Sequence, residues 1–272
     1  MFEMQRAIFT TIFTILASLL ISSPGFGGNV QTRLPVFRLT VIFNNIPFEP
    51  HLTTSWGFSC LIEGTEQTIL FDTGGEGKIL LSNMSFMNID PKSIDTVFLS
   101  HIHADHTGGV EDFLKQNPDI TVCLPESFPI SFQQAITQYG ARIRAVGNFT
   151  RLFDSVYSSG EMGDWIKEQA LILKTSNGLV IITGCAHPGV VNVVREARDR
   201  CKDNVYLLMG GFHLGGMTSE QIQEVIRALQ ALGVKKVAPS HCTGERAMSM
   251  FREAWGEDFL QGGAGAIIEV RR

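Results

Sequence analysis

An α/β fold, with α+β character, is predicted by three features of this sequence. Short apolar runs of strand length alternate with amphipathic stretches of helix length. Polar, glycine-rich clusters follow several of the apolar runs, which is where α/β sheets place their sites. No repeat, low-complexity tract or long linker interrupts the chain after residue 35, so residues 35–272 read as one domain.

The elements follow in order. Residues 36–43 and 59–62 are apolar, strand-like runs, and Thr68-Ile-Leu-Phe71 ends at Asp72-Thr-Gly-Gly75. Residues 77–87 have helical character and Pro91 punctuates them. Residues 96–99 make a short buried strand running straight into a histidine cluster, Thr107-Gly-Gly109 opens a helix to about Lys115, and residues 120–124 form another strand. A helix is expected over 128–139. Strands at 170–173 and 179–182 flank Ser176-Asn-Gly178, a hairpin signal. A helix over 190–200 precedes a strand at 205–208 that ends in Gly210-Gly211. Thr218 or Ser219 caps a helix whose Ile222, Val225, Ile226, Leu229 and Leu232 share one face. Residues 236–238 lead to Ser240-His241, residues 246–255 read as helix, and 264–270 give a last strand.

The N-terminus is a separate object. Arg6 precedes an apolar run over residues 7–21, followed by the small and helix-breaking residues 22–28. A basic start, a short apolar core and a small-residue exit are the parts of a secretory signal, and the run is shorter than a membrane span. Residues 1–28 are therefore expected to be a signal peptide, with an uncleaved N-terminal anchor as the alternative. The protein would be exported, periplasmic or extracellular, and would touch a membrane only transiently or through this segment. A net charge of −5 argues against a partner bound by phosphate neutralisation, so a small-molecule substrate is expected and no nucleic acid. The five cysteines show no paired framework. Cys60 and Cys123 lie in apolar runs and are expected to be buried, and His51 in a polar loop to be at the surface.

Ser100-His-Ile-His-Ala-Asp-His-Thr-Gly-Gly109 places His101, His103, Asp105 and His106 within six positions. On an extended backbone His101 and His103 point to one side, and Ala104 lets the chain turn to bring Asp105 and His106 round. Imidazoles with a carboxylate suit Zn²⁺, with Mn²⁺ and Fe²⁺ as alternatives. Three further histidines follow strand-like runs: His187 in Thr183-Gly-Cys-Ala-His-Pro-Gly189, His213 in Gly210-Gly-Phe-His-Leu-Gly-Gly216, and His241 in Ala238-Pro-Ser-His-Cys-Thr-Gly244. No histidine lies between His106 and His187, so the next candidate ligand after the cluster is His187, or else a carboxylate such as Glu168 or Asp164. Cys185 is a possible ligand or a buried inert thiol. Cys242 is expected to point away along an extended chain.

The run His101-x-His103-x-Asp105-His106 resembles the signature of the metallo-β-lactamase superfamily, and Asp72-Thr-Gly74 resembles its upstream aspartate turn. Gly-Cys185-x-His187, Gly-Gly-Phe-His213-Leu and His241-Cys-Thr-Gly244 look like the branch related to the archaeal dihydropterin ribofuranosyl-aminobenzene phosphate synthases, often described as metal-dependent hydrolases. The resemblance covers nearly the whole chain after residue 35. It implies a four-layer αββα sandwich with two divalent metal ions at its edge. One ion would take His101, His103 and a later histidine; the other would take Asp105, His106 and His241. Asp72 would orient a ligand imidazole or the following loop by hydrogen bonding. Many members bridge the metals with an aspartate where this chain has Cys185, so the bridge is either missing or a thiolate.

The expected activity is hydrolysis by a metal-bound hydroxide, with Asp105 as ligand and proton acceptor and His213 contacting substrate or protonating the leaving group. A phosphate ester or phosphodiester is the first expectation, because hard anionic oxygens suit a dicationic site. A lactone or β-lactam is the alternative within hydrolases. Outside that class stand a non-hydrolytic pterin-type synthase or transferase and a metal-binding module without catalysis. Residues 126–163 are expected to face the substrate.

Overall fold

The computed structural model describes residues 36–272. The expected signal segment, residues 1–28, lies outside the described residues. Among the described residues no helix is long and apolar enough to cross a membrane.

The described residues open with the antiparallel strands β1 (Val36–Asn44), β2 (Phe58–Glu63) and β3 (Ile69–Phe71). Helix α1 (Gly77–Phe86) crosses to β4 (Thr96–Phe98), which runs parallel to β3. After β4 come a single helical turn, α2 (Ala104–Thr107), and α3 (Val110–Gln116). Then follow β5 (Thr121–Pro125), α4 (Ile130–Gln138) and β6 (Arg142–Val146), both strands parallel to β4. A second sheet starts with β7 (Thr150–Phe153), β8 (Val156–Ser158) and β9 (Leu171–Thr175), continues through β10 (Gly178–Thr183), α5 (Val190–Cys201) and β11 (Val205–Gly211), and ends with α6 (Ser219–Ala231) and β12 (Lys236–Ser240). Helix α7 (Glu245–Trp255) and β13 (Ile267–Arg271) close the chain, and β13 returns to pair with β1. The strand orders are β13-β1-β2-β3-β4-β5-β6 and β12-β11-β10-β9-β8-β7.

Strand periodicity divides the apolar side chains between two destinations. Phe58, Cys60, Phe71, Phe98 and Cys123 of the first sheet meet Leu171, Leu173, Val180, Ile182, Leu207 and Met209 of the second. Their neighbours point the other way: Leu70, Val97, Leu99 and Val122 pack under α1, α3 and α4, and Ile172, Ile181 and Leu208 pack under α5, α6 and α7. Two sheets buried on both faces, with helices outside each, give the four-layer αββα sandwich that the sequence led us to expect. A bulge in β1 between Val41 and Phe43 turns Ile42 and Phe43 together toward the outer layer. The Phe43 ring then lies where any side chain on Gly74 would stand, and Gly74 also has φ +66°.

Parallel pairing is what matters for function. The C-terminal ends of β3 and β4 share one edge of the first sheet; those of β10, β11 and β12 share an edge of the second. Every polar cluster singled out in the sequence follows one of these five ends.

Some elements differ from the sequence reading. The helix expected over 107–115 is divided, because Gly108 and Gly109 pack closely against the backbone of Gly75 and Thr73; Asp105 and His106 therefore ride on a helical turn. Strands β6, β7 and β8 carry little apolar signal. Arg142 and Arg144 occupy β6, which is an edge strand and only partly covered. Thr218, rather than Ser219, caps α6, in a reciprocal capping box with Gln221.

Phe71 lies in the inter-sheet layer, its ring 5.4 Å from Phe98 and 5.9 Å from Phe58. Replacing it with alanine should lower the unfolding free energy by about 3–5 kcal/mol in urea titration. A loss under ~1 kcal/mol would show that this layer does not carry the stability assigned to it.

Candidate metal centre

The two strand edges converge on one cluster. His101 Nε2 lies 3.1 Å from His103 Nδ1, and the His187 ring sits 4.8 Å from both rings. These three histidines form one group whose ligand atoms all lie within 4.8 Å of one another. Asp105, His106, Cys185 and His241 form a second. There His106 Nε2 is 3.3 Å from His241 Nε2 and 3.2 Å from Cys185 Sγ, while Asp105 Oδ2 is 3.2 Å from His241 Nε2. The rings of His101 and His106 are 4.2 Å apart, so the groups adjoin.

Hydrogen bonds behind the cluster decide which nitrogen of each ring faces inward. Asp72 is fully buried and its carboxylate can only accept. Its Oδ1 takes the Ser100 N–H at 2.7 Å; its Oδ2 takes the Ser100 hydroxyl and His106 Nδ1–H, both at 2.7 Å. Having given its one proton to Asp72, the Ser100 hydroxyl must accept from His101 Nδ1–H, 2.9 Å away. With Nδ1 engaged by these acceptors, both rings turn Nε2 toward the cluster. Asn45 does the same for His241, accepting from Nδ1–H at 2.9 Å. Gly184 allows β10 to approach this network, since a methyl group there would overlap the Ser100 hydroxyl.

A third carboxylate shapes the other side. Glu168 is buried, with Oε1 accepting the N–H groups of Cys185 and Ala186 and Oε2 that of His187, at 2.8–2.9 Å. It holds a loop in which Ala186 has φ +60°.

The electrostatics suit cation binding. Burial and the neighbouring histidines His106, His187 and His103 hold His101 well below the ordinary imidazole range, so it is neutral with a free lone pair. Burial, His213 and His103 push His187 down to about 4. Its Nε2 is buried without any hydrogen-bond partner. Burial would raise Asp105, but the hydrogen bond with His241 and the charges of His106 and His241 hold it well below the usual carboxylate range. Several imidazoles, a carboxylate and a thiol facing one another are the donor set of divalent Zn²⁺-type sites, and the buried, unpartnered His187 Nε2 is costly without such an occupant.

The chain belongs to the metallo-β-lactamase superfamily: the profile of that superfamily matches residues 57–201. Over 262 aligned positions the chain is 35% identical to the 7,8-dihydropterin-6-methyl-4-(β-D-ribofuranosyl)-aminobenzene-5'-phosphate synthase of Methanocaldococcus jannaschii, covering 78% of this chain and 89% of that one. Among solved structures it resembles a metal-dependent hydrolase of the β-lactamase superfamily (TM-score 0.75, 26% identity, 87% of this chain and all of the other). The metallo-β-lactamase fold protein YhfI from Bacillus subtilis shares the fold (TM-score 0.65, 14% identity, 86% of this chain and all of the other). Members of this superfamily bind divalent metals.

His101, His103, Asp105, His106, His187 and His241 are brought together, with Cys185 among them. Asp72 lies behind them. His213 stands at the exposed rim, its ring 4.3 Å from His187. Glu168 does not join the His101 group because both its oxygens face backbone N–H groups, and Asp164 is exposed and outside the groups. Cys242 departs from the reading that sent it away from the site. It lies in the 3-10 turn His241–Thr243, not an extended run, and its Sγ is 3.8 Å from the Cys185 carbonyl. Cys60 and Cys123 are buried and His51 is exposed, as expected.

Ser100, Asn45 and Glu168 were not recognised as supports. Ser100 adjoins the cluster and could have been weighed; Asn45 and Glu168 are 196 and 19 positions from the groups they hold, with no spacing signal.

Glu168→Gln keeps the shape but places an amide NH2 against a backbone N–H. Metal affinity, read by competition with a chromophoric chelator, should fall about 10–100-fold while circular dichroism stays unchanged. Unchanged affinity would remove Glu168 from the support of the loop.

Proposed function

We propose that this chain is a metal-dependent hydrolase of phosphate esters or phosphodiesters, working from two divalent cations, with Zn²⁺ first and Mn²⁺ or Fe²⁺ as alternatives. His101, His103 and His187 would hold one; Asp105, His106 and His241 would hold the other, with Cys185 Sγ between the groups in place of a bridging carboxylate. The observation that carries the reading is the convergence of seven donors from three separate loops, in two adjoining groups, with the His187 Nε2 left unpartnered. Cations held there supply positive charge against anionic substrate oxygens and acidify water at the site.

The chain's own groups supply the remaining tasks. Asp105, ionised and only partly buried, can accept a proton at its free oxygen while its Oδ2 stays toward His241. Asp72 and Ser100 fix the imidazoles, so the donors need no reorganisation on binding. His213, exposed beside His187, is placed to contact substrate or to protonate a departing oxygen. A phosphate-bearing substrate gains support from the archaeal relative, which is named for a 5'-phosphate compound. That same relative is named a synthase, which favours transfer to an acceptor other than water as the second reading.

Removing metal with a chelator should abolish turnover of bis(p-nitrophenyl) phosphate, and re-adding Zn²⁺ should restore it. His103→Ala should lower bound metal from about two ions per chain toward one and abolish turnover with the fold retained. Full activity in metal-free protein would end the proposal. Product formed in ¹⁸O-water carries the label under hydrolysis and lacks it under transfer.

We further propose export, from Arg6, the apolar residues 7–21 and the small residues 22–28. Fractionation should find the full chain outside the cytoplasm and a chain lacking residues 1–28 inside it; the same cytoplasmic location for both would refute export.

A further inference from the structure

We infer that the hollow beside His241 binds a flat aromatic group carrying an acid at its far end, so that the substrate is an aromatic acid attached to the reacting bond. This rests on reading the cluster as a catalytic centre. The hollow has a volume of about 550 Å³, within the range of small-molecule sites, and His241 and Cys242 form part of its wall. A molecule seated there reaches the metal-binding side chains directly.

Two walls define its chemistry. On one stands Trp56, 57% exposed, with its ring 4.7 Å from that of His241 at an interplanar angle of 50°. An indole so exposed beside the cluster leaves part of its face free as a stacking surface. The other wall is one face of α7, where Glu245, Met248 and Arg252 follow at helical spacing. Arg252 is held over the Phe259 ring at 4.9 Å and forms no ion pair with any described residue. It is an oriented, exposed cation at the rim of the hollow with no carboxylate partner among the described residues, which favours a carboxylate, sulfonate or phosphate.

The order along the helix sets the orientation of the ligand. Glu245 follows the His241 turn directly, and its negative charge repels an acid at that end. Arg252 lies seven positions further along the chain, about 10 Å along the axis. One or two fused rings span that interval, with Met248 beneath them and Trp56 against the face.

Naphthalene-2-sulfonate, 2-naphthol and methanesulfonate serve as probes, titrated calorimetrically into chelator-treated and Zn²⁺-loaded full-length protein. The sulfonated naphthalene should bind both forms and methanesulfonate neither. Arg252→Gln should weaken the sulfonate about tenfold and leave 2-naphthol unaffected. Trp56→Ala should weaken both aromatic probes, and Trp56→Phe should retain most of the affinity. Equal sulfonate affinity in wild type and Arg252→Gln, or tight binding of methanesulfonate, would overturn the inference. Sulfonate binding that follows these variants in a protein turning over no ester supports the subsite and refutes only the hydrolase reading. Turnover of 6-carboxy-2-naphthyl phosphate with KM unchanged in Arg252→Gln and in Trp56→Ala keeps that reading and refutes the subsite.

Discussion

The buried carboxylate of Asp72 is the constraint on which the centre depends. It stands at the end of β3 and takes three hydrogen bonds from the loop after β4. A charge so far from water is tolerable only when fully paired, and its partners are the groups that must be oriented for metal binding. Through Ser100 it sets the His101 ring, and directly it sets His106. The close approach of Gly184 from the second sheet ends on the same pair of residues. One acceptor thus couples stability, the approach of the two sheets and the orientation of two rings.

Around that point the two sheets contribute in parallel fashion. Each has adjacent parallel strands whose C-terminal ends open at the same edge, so residues far apart in the chain arrive together without a long excursion. The first sheet brings His101 to His106; the second brings Cys185, His187, His213 and His241. Glu168 plays toward the second sheet's first loop the part that Asp72 plays in the first: it gathers three backbone N–H groups that would otherwise be unpaired. Rigid supports of this kind are what a site needs if donors are to hold their positions while substrate changes charge.

Membership of the superfamily accounts for the fold and for metal binding as a general property. The particular chemistry is written in local departures from it. A thiol stands at Cys185, 3.2 Å from His106, and a second, Cys242, lies close by. Sulfur donors favour Zn²⁺ over harder cations, which is the physical ground for placing Zn²⁺ first. The wall of the hollow combines Trp56, from the loop before β2, with Arg252 of α7, and specificity in a shared scaffold resides in the residues around the site. None of residues 126–163, the stretch first expected to face substrate, lines the hollow beside His241.

The sequence by itself determined the layered α/β fold, the strand ends that carry polar clusters, and the local run of candidate metal-binding side chains His101, His103, Asp105 and His106. Those features are local: apolar periodicity, turn residues and histidines spaced within a few positions are visible along the chain. Only the tertiary structure decided that His187, rather than Glu168 or Asp164, completes the first group, that Cys242 turns toward Cys185, and that Ser100, Asn45 and Glu168 act as supports. His187 and Asn45 meet their partners across the two sheets, whereas Ser100, Glu168 and Cys242 meet theirs between loops at one sheet's edge, so packing and not sequence spacing makes these contacts. Strands β6 to β8, of which β6 and β7 lie at sheet edges, escaped sequence reading for a related reason: they are short and carry weak apolar alternation, and backbone pairing with neighbours makes them strands.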